Sequence, residues 1–148
     1  MRYLKLIILL LEHYLNVLAG KVMKPTYQYA GVNVYVTSMP EAVGARTSGG
    51  SIAVNSTILD KFSDMEIRSF LLHEKTHIEQ QERLGVLKFY LEYSKDPVKL
   101  ELEAYWKGFS LIRDNPRGDA VLGYLAAQSL YGTSYSKEEL TDIMATIK

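Results

Sequence analysis

Residues 63–85 carry the pattern that most limits what this chain can fold into. Ser63 is a good helix N-cap, and Glu66 three residues on completes a capping box. Gly85 stands where a helix would stop. Between them Phe70, His73, His77 and Leu84 recur on one helical stripe, flanked by Ile67, Leu71, Glu74 and Ile78. The spacing predicts a long helix whose apolar face is interrupted by two imidazoles and a carboxylate. Lys75 and Thr76 fall on the expected solvated side. Burying the two His and the Glu without partners would cost several kcal/mol, roughly. The rest of the fold must therefore bring something to them.

The composition narrows what that can be. Cysteine is absent from the 148 residues, which removes disulfides, a thiol nucleophile, Cys-ligated zinc and iron–sulfur clusters. His13, His73 and His77 are the only histidines, so a metal would be held by these and by carboxylates. Lys plus Arg is 17 and Asp plus Glu is 17. That balance argues against a nucleic-acid binder with a broad basic field and against a polybasic membrane clamp. An apolar fraction of 47% and a charged fraction of 23% are those of a folded chain, and the length suits one domain with its own core.

Elsewhere the chain reads as mostly helical with a small sheet near its N-terminal half. Leu4, Ile7, Ile8, Leu11, Leu15 and Leu18 form one stripe, so residues 2–19 are expected to be a buried first helix ending at Gly20. The apolar run is too short for a membrane span. A cytoplasmic location is expected, with secretion or membrane-surface association through residues 1–19 as the lesser alternative. Residues 32–37 and 51–55 read as strands, and 38–51 as loop or short strand. Helices are expected at 86–93, from Asp96 and Pro97 to about Arg113, at 119–130 after a turn at 114–119, and after the capping box of Ser136 and Glu139. No repeat or long linker divides the chain, so residues 1–148 are expected to form one α+β domain.

His73-Glu74-Lys75-Thr76-His77 is an HExxH motif. Residues four apart on a helix share a face, with Cβ atoms about 6 Å apart, so both imidazoles can reach one zinc ion. Glu74 lies roughly 100° around from His73 and can reach a water beside the metal without ligating it. Its carboxylate can take that water's proton as the water attacks a carbonyl. A catalytic zinc commonly has a third protein ligand. His13 is far upstream and reads as a core or surface histidine. Glu101 and Glu103 lie on the following helix. Glu101 is one turn from both Val98 and Tyr105 and can face inward at the edge of the Val98, Leu102, Tyr105, Phe109 stripe. It is the preferred ligand, with Glu103 the alternative.

On these residues the chain resembles the gluzincin clan of zinc metallopeptidases. It is similar to the peptidase core of the clan's membrane-bound families and to the small soluble minigluzincins. Three stretches carry the likeness: Gly49 to Asn55 leading to Leu59, Ser63 to Gln80, and Glu101-Leu102-Glu103-Ala104-Tyr105. The resemblance implies a zincin-like α+β fold, with a small, mostly antiparallel sheet on the HExxH helix and a glutamate helix beside it. It implies Zn2+ on His73, His77 and Glu101, Glu74 as general base and acid, and peptide or unfolded protein as substrate. The strand holding Ser51, Ile52 and Ala53 would form the cleft's upper rim and offer a free edge to an extended peptide. Tyr105 stands where the clan often has an Asp partner for a zinc-bound His, and its phenol could accept that imidazole's hydrogen bond. An oxyanion-stabilising group is expected among Tyr131, Tyr135, Arg113 and Arg117. Minigluzincins occur as zymogens, so residues 132–148 could occupy the cleft, although a packed last helix is the plainer expectation. The competing readings are a latent relative and a module that keeps zinc for stability.

Overall fold

The computed structural model describes residues 2–40 and 43–148. Among these are seven helices and one four-stranded sheet. In chain order they are α1 (Arg2–Gly20), β1 (Tyr27–Tyr29), β2 (Val32–Thr37), β3 (Ala45–Ser48), β4 (Ser51–Asn55), α2 (Ile58–Lys61), α3 (Asp64–Leu84), α4 (Val86–Lys95), α5 (Val98–Phe109), α6 (Pro116–Tyr131) and α7 (Lys137–Thr146). The α+β class expected from the sequence is the one observed.

The sheet is mixed, with strand order β1-β2-β4-β3. β1 and β3 pair antiparallel with β2 and β4, and the central β2–β4 pair is parallel. Gly49 and Gly50, both at positive φ, make the tight β3–β4 turn. A Cβ on Gly49 would also stand 2.6 Å from the backbone nitrogen of Val17, so this turn lies hard against α1. β1 adds only a three-residue edge, which alternation alone does not reveal. β4 has β2 on one side and β3 on the other. The expectation of a free edge at Ser51–Asn55 is therefore corrected: among the described residues the sheet's free edge on this side is β3.

Three apolar clusters hold the elements. Val34, Ile52 and Val54 of the sheet pack on Ile58, Leu71 and Ile78 of α2 and α3. Val98, Leu102, Ala120, Val121, Tyr124, Leu140 and Met144 join α5, α6 and α7. Phe89, Tyr90 and Leu100 take the inner side of α1 through Leu6, Leu9 and Leu10. The capping boxes at Ser63 and Ser136 both form. α5 ends at Phe109, short of Arg113, and α6 begins at Pro116 with Asn115 as its N-cap, earlier than the turn residues suggested. α3 touches β3, β4, α4 and α5, so it is covered from several sides. That corrects the placing of Thr76 on a solvated face: it is buried, its hydroxyl bonded to the Leu72 carbonyl.

α1 forms as expected but with its faces exchanged. Leu4, Ile7, Ile8, Leu11, Leu15 and Leu18 are exposed, not buried. The inner face carries polar groups that need partners. His13 is buried, its Nδ1 accepting from the Gly49 N–H at 3.3 Å and lying 3.1 Å from the Tyr90 hydroxyl. Asn16 donates to Ser48 Oγ at 2.7 Å. These polar contacts orient the helix against its own apolar stripe. His13 is thus a core histidine.

Candidate metal centre

The long α3 carries His73 and His77, and α5 crosses beside it. The two helices approach closely because Gly108 has no side chain. A Cβ there would stand 2.8 Å from the Ser69 carbonyl oxygen and 3.3 Å from His73 Cβ. Ser69 Oγ donates to the Gly108 carbonyl at 2.9 Å across the same contact. This crossing places Glu101 of α5 over both imidazoles.

Glu101 Oε1 lies 3.1 Å from His73 Nε2 and 2.8 Å from His77 Nε2. Its other oxygen accepts from the Tyr93 hydroxyl of α4 at 2.9 Å, so Oε1 alone faces the imidazoles. Glu101 is 3% exposed and His77 6%. Burial works against charge on His77, but the Glu101 carboxylate more than offsets it and raises its pKa to about 9. Burial likewise opposes charge on Glu101, yet the two imidazoles hold its carboxyl well below the usual range. Burial, with the Glu101 charge, pushes the Tyr93 phenol up, which keeps it a hydrogen-bond donor.

The protonation pattern at His77 is set from behind. The Gln80 amide nitrogen donates to the Leu100 carbonyl at 2.9 Å and to Glu103 Oε1 at 2.8 Å, both obligate acceptors. The amide oxygen therefore faces His77 Nδ1, 2.9 Å away, and accepts its proton. Neutral His77 then has its lone pair on Nε2, pointing at a carboxylate oxygen. Two acceptors at that separation need a cation between them, either a proton on Nε2 or a metal ion. The donor set fits a metal. One ligand atom from each of His73, His77 and Glu101 lies within 4.8 Å of the other two. A tetrahedral ion with bonds near 2.0 Å keeps its ligand atoms about 3.3 Å apart, near the 3.1 and 2.8 Å from Glu101 Oε1 to the two imidazoles.

Glu103 is not at this centre. It is buried beside Gln80 and bonded by Arg83 at 2.9 Å, so it braces Gln80 from behind. Between the two carboxylates that the sequence left open, the structure brings Glu101 to the imidazoles. Tyr105 is also placed differently from expectation. Its ring meets His73 edge-on at 4.6 Å, while its hydroxyl pairs with that of Tyr131 at 3.1 Å and takes no hydrogen bond from an imidazole.

Glu74 faces a cleft of about 510 Å³ that also holds His73, His77 and Glu101. Thr47 of β3 points its hydroxyl at Glu74, 2.7 Å from Oε2 and 2.9 Å from the carbonyl oxygen. Val43 to Thr47 form one wall of the cleft, and Tyr105, Ala127, Leu130 and Tyr131 another. Ser51, Ile52 and Ala53 do not line it. Ile52 is fully buried in the sheet, and Thr47 opposite it is the residue that reaches the site. Of the four oxyanion candidates, only Tyr131 lines the cleft. Arg117 stacks on Trp106 and donates to the Met144 and Ile147 carbonyls, Arg113 lies over Phe109, and Tyr135 bonds Asp96. Residues 132–148 contribute no lining to the cleft. Leu140 and Met144 anchor that segment in the core with α5 and α6, as a packed last helix would be.

Sequence reasoning missed Gln80, Tyr93 and Thr47. Gln80 carried a usable signal, because three residues past His77 is the same helical face. Tyr93 and Thr47 carried none, since each reaches the site only through tertiary packing. Comparison with protein-family models, with curated proteins and with solved structures finds no match to this chain.

Proposed function

We propose that this protein is a zinc-dependent peptidase of zincin-like architecture, hydrolysing peptide bonds in unfolded protein or peptides. One observation carries the reading: a buried carboxylate oxygen faces two imidazole Nε2 atoms, and Gln80 holds the Nδ1 proton of one of them, so that a metal ion can replace the proton on its Nε2. His73, His77 and Glu101 would hold zinc, which when bound supplies Lewis acidity to a water and to a carbonyl. Three protein ligands beside an open cleft suit a catalytic zinc better than a closed structural one.

The chain's own residues supply the rest. Glu74 takes the water's proton and returns it to the leaving amine. The Thr47 hydroxyl orients its carboxylate. The free edge of β3, in place of β4, pairs with an extended peptide and brings the scissile carbonyl toward Glu74. Tyr131, kept protonated by burial and the nearby Glu101 charge, donates to the oxyanion as it forms. The aromatic wall of Phe70, Phe89 and Tyr105 favours an apolar side chain next to the cleaved bond.

The test is cleavage of a peptide library by the wild type and by Glu74→Ala, with metal content measured on both. About one zinc per chain is expected, with cleavage that a chelator stops. Glu74→Ala should keep the metal and lose turnover, and Glu101→Ala should lose metal. Chelator-resistant cleavage, or full turnover by Glu74→Ala, would overturn the assignment.

A further inference from the structure

We propose that the outer face of α1 docks on the surface of a lipid bilayer rich in anionic headgroups. Leu4, Ile7, Ile8, Leu11, Leu15 and Leu18 follow one another at helical spacing, and all are about half exposed or more. Only 6% of the window from Tyr3 to Gly20 is buried, while its mean hydropathy is 1.4. The stripe runs about 21 Å at helical rise and continues into Val22 and Met23, 86% and 56% exposed. A continuous apolar strip of this size marks an interaction site more often than idle surface.

Charge selects the occupant. Lys5 flanks one end of the strip, and Lys21 and Lys24 the other, all exposed. Glu12, the one acidic residue between Arg2 and Lys24, lines the cleft. A second copy would bring these lysines together. Antiparallel helices would set Lys5 against Lys21 and Lys24, and parallel helices would set like against like, with no acid on the strip to offset either. An anionic bilayer meets both ends at once: lysines take the headgroups and the strip enters the acyl boundary.

The inner face keeps α1 on the surface, not through the membrane. The hydrogen bonds of His13 and Asn16 and the close fit of Gly49 against Val17 tie α1 to α4 and the β3–β4 turn. A span would break these and carry Glu12, His13 and Asn16 into hydrocarbon. Docked on its outer side, α1 would hold the cleft, which Leu9 and Glu12 line, within about one helix diameter of the headgroups.

The experiment is flotation of the full chain with phosphatidylcholine vesicles, with and without added phosphatidylserine. The wild type should float with the mixed vesicles, and much less with phosphatidylcholine alone or at high salt. Leu11→Asp with Leu15→Asp should abolish flotation; both side chains are more than half exposed. Unchanged circular dichroism would show that the pair still folds. Lys5→Ser, Lys21→Ser and Lys24→Ser should each weaken binding to the mixed vesicles about fivefold, a readout independent of the Asp pair. Five results would overturn the proposal. Two are a wild type unbound to both vesicles and an Asp pair that floats like the wild type. A third is a dimer in sedimentation that the Asp pair abolishes, which makes a second copy the occupant. The last two are protein from cells that starts beyond Gly20, which makes α1 a removed leader, and protein that resists carbonate extraction, which makes it a span.

Discussion

Gln80 decides which nitrogen of His77 is available, although it touches no ligand position itself. Its amide is pinned by the Leu100 carbonyl and by Glu103, which Arg83 holds in turn. Gln80→Leu keeps the side chain's bulk and removes the acceptor at Nδ1. Zinc affinity should fall about tenfold to a hundredfold, measured by competition with a chromophoric chelator. Tyr131 is a different kind of residue. Its hydroxyl pairs with Tyr105 on the cleft wall. Tyr131→Phe should leave metal content unchanged and lower kcat about a hundredfold, read by steady-state kinetics on one peptide. His73, Glu74 and His77 were legible because helical spacing alone places them together. Glu101 and Glu103 were both legible as candidates, but choosing between them needed the rotation of α5 against α3. Thr47 was not legible at all, since a hydroxyl in a short strand resembles any other.

The contact between α3 and α5 is the element on which the centre depends. Gly108 sits where a side chain would press on Ser69 and on His73 itself. Gly108→Ala should push the helices apart and destabilise the fold by about 1–3 kcal/mol, seen as a lower urea midpoint. It should also weaken metal binding, because Glu101 rides on the displaced helix. Gly31→Ala, at a φ of 83° that strains any side chain but where a Cβ meets no neighbour, should also lower the urea midpoint yet leave the metal affinity unchanged. Helices with a capping box were readable at their starts, as at Ser63 and Ser136. The faces of α1 were not. Hydrophobic periodicity identifies an apolar stripe, but His13 and Asn16 found hydrogen-bond partners on the opposite side. Strand β4 was readable, while its place inside the sheet depended on β3, which is four residues long.

Across the whole molecule, buried charge ties stability to pH. Burial opposes the Glu103 carboxylate, but the Arg83 guanidinium and the Gln80 amide more than offset it and lower its pKa. A lowered folded-state pKa contributes stability that is present above the ordinary value of 4.5 and lost as pH falls through the folded one. The urea midpoint should therefore drop as pH falls below about 4.5, and the drop should be smaller in Arg83→Met, measured by denaturation across that range. The HExxH helix, the absence of cysteine chemistry, the α+β class and a short set of carboxylates for the candidate metal centre are all legible in the sequence. Those follow from local spacing and composition, which act within one element. Tertiary structure alone decided that Glu101 meets the imidazoles, that Gln80 sets the His77 proton, that β3 is the edge beside Glu74, and that α1 turns its apolar stripe outward. Each depends on how separate elements rotate and approach, and that is set by Gly108, by Gly49 and by buried polar pairs whose partners lie far apart along the chain.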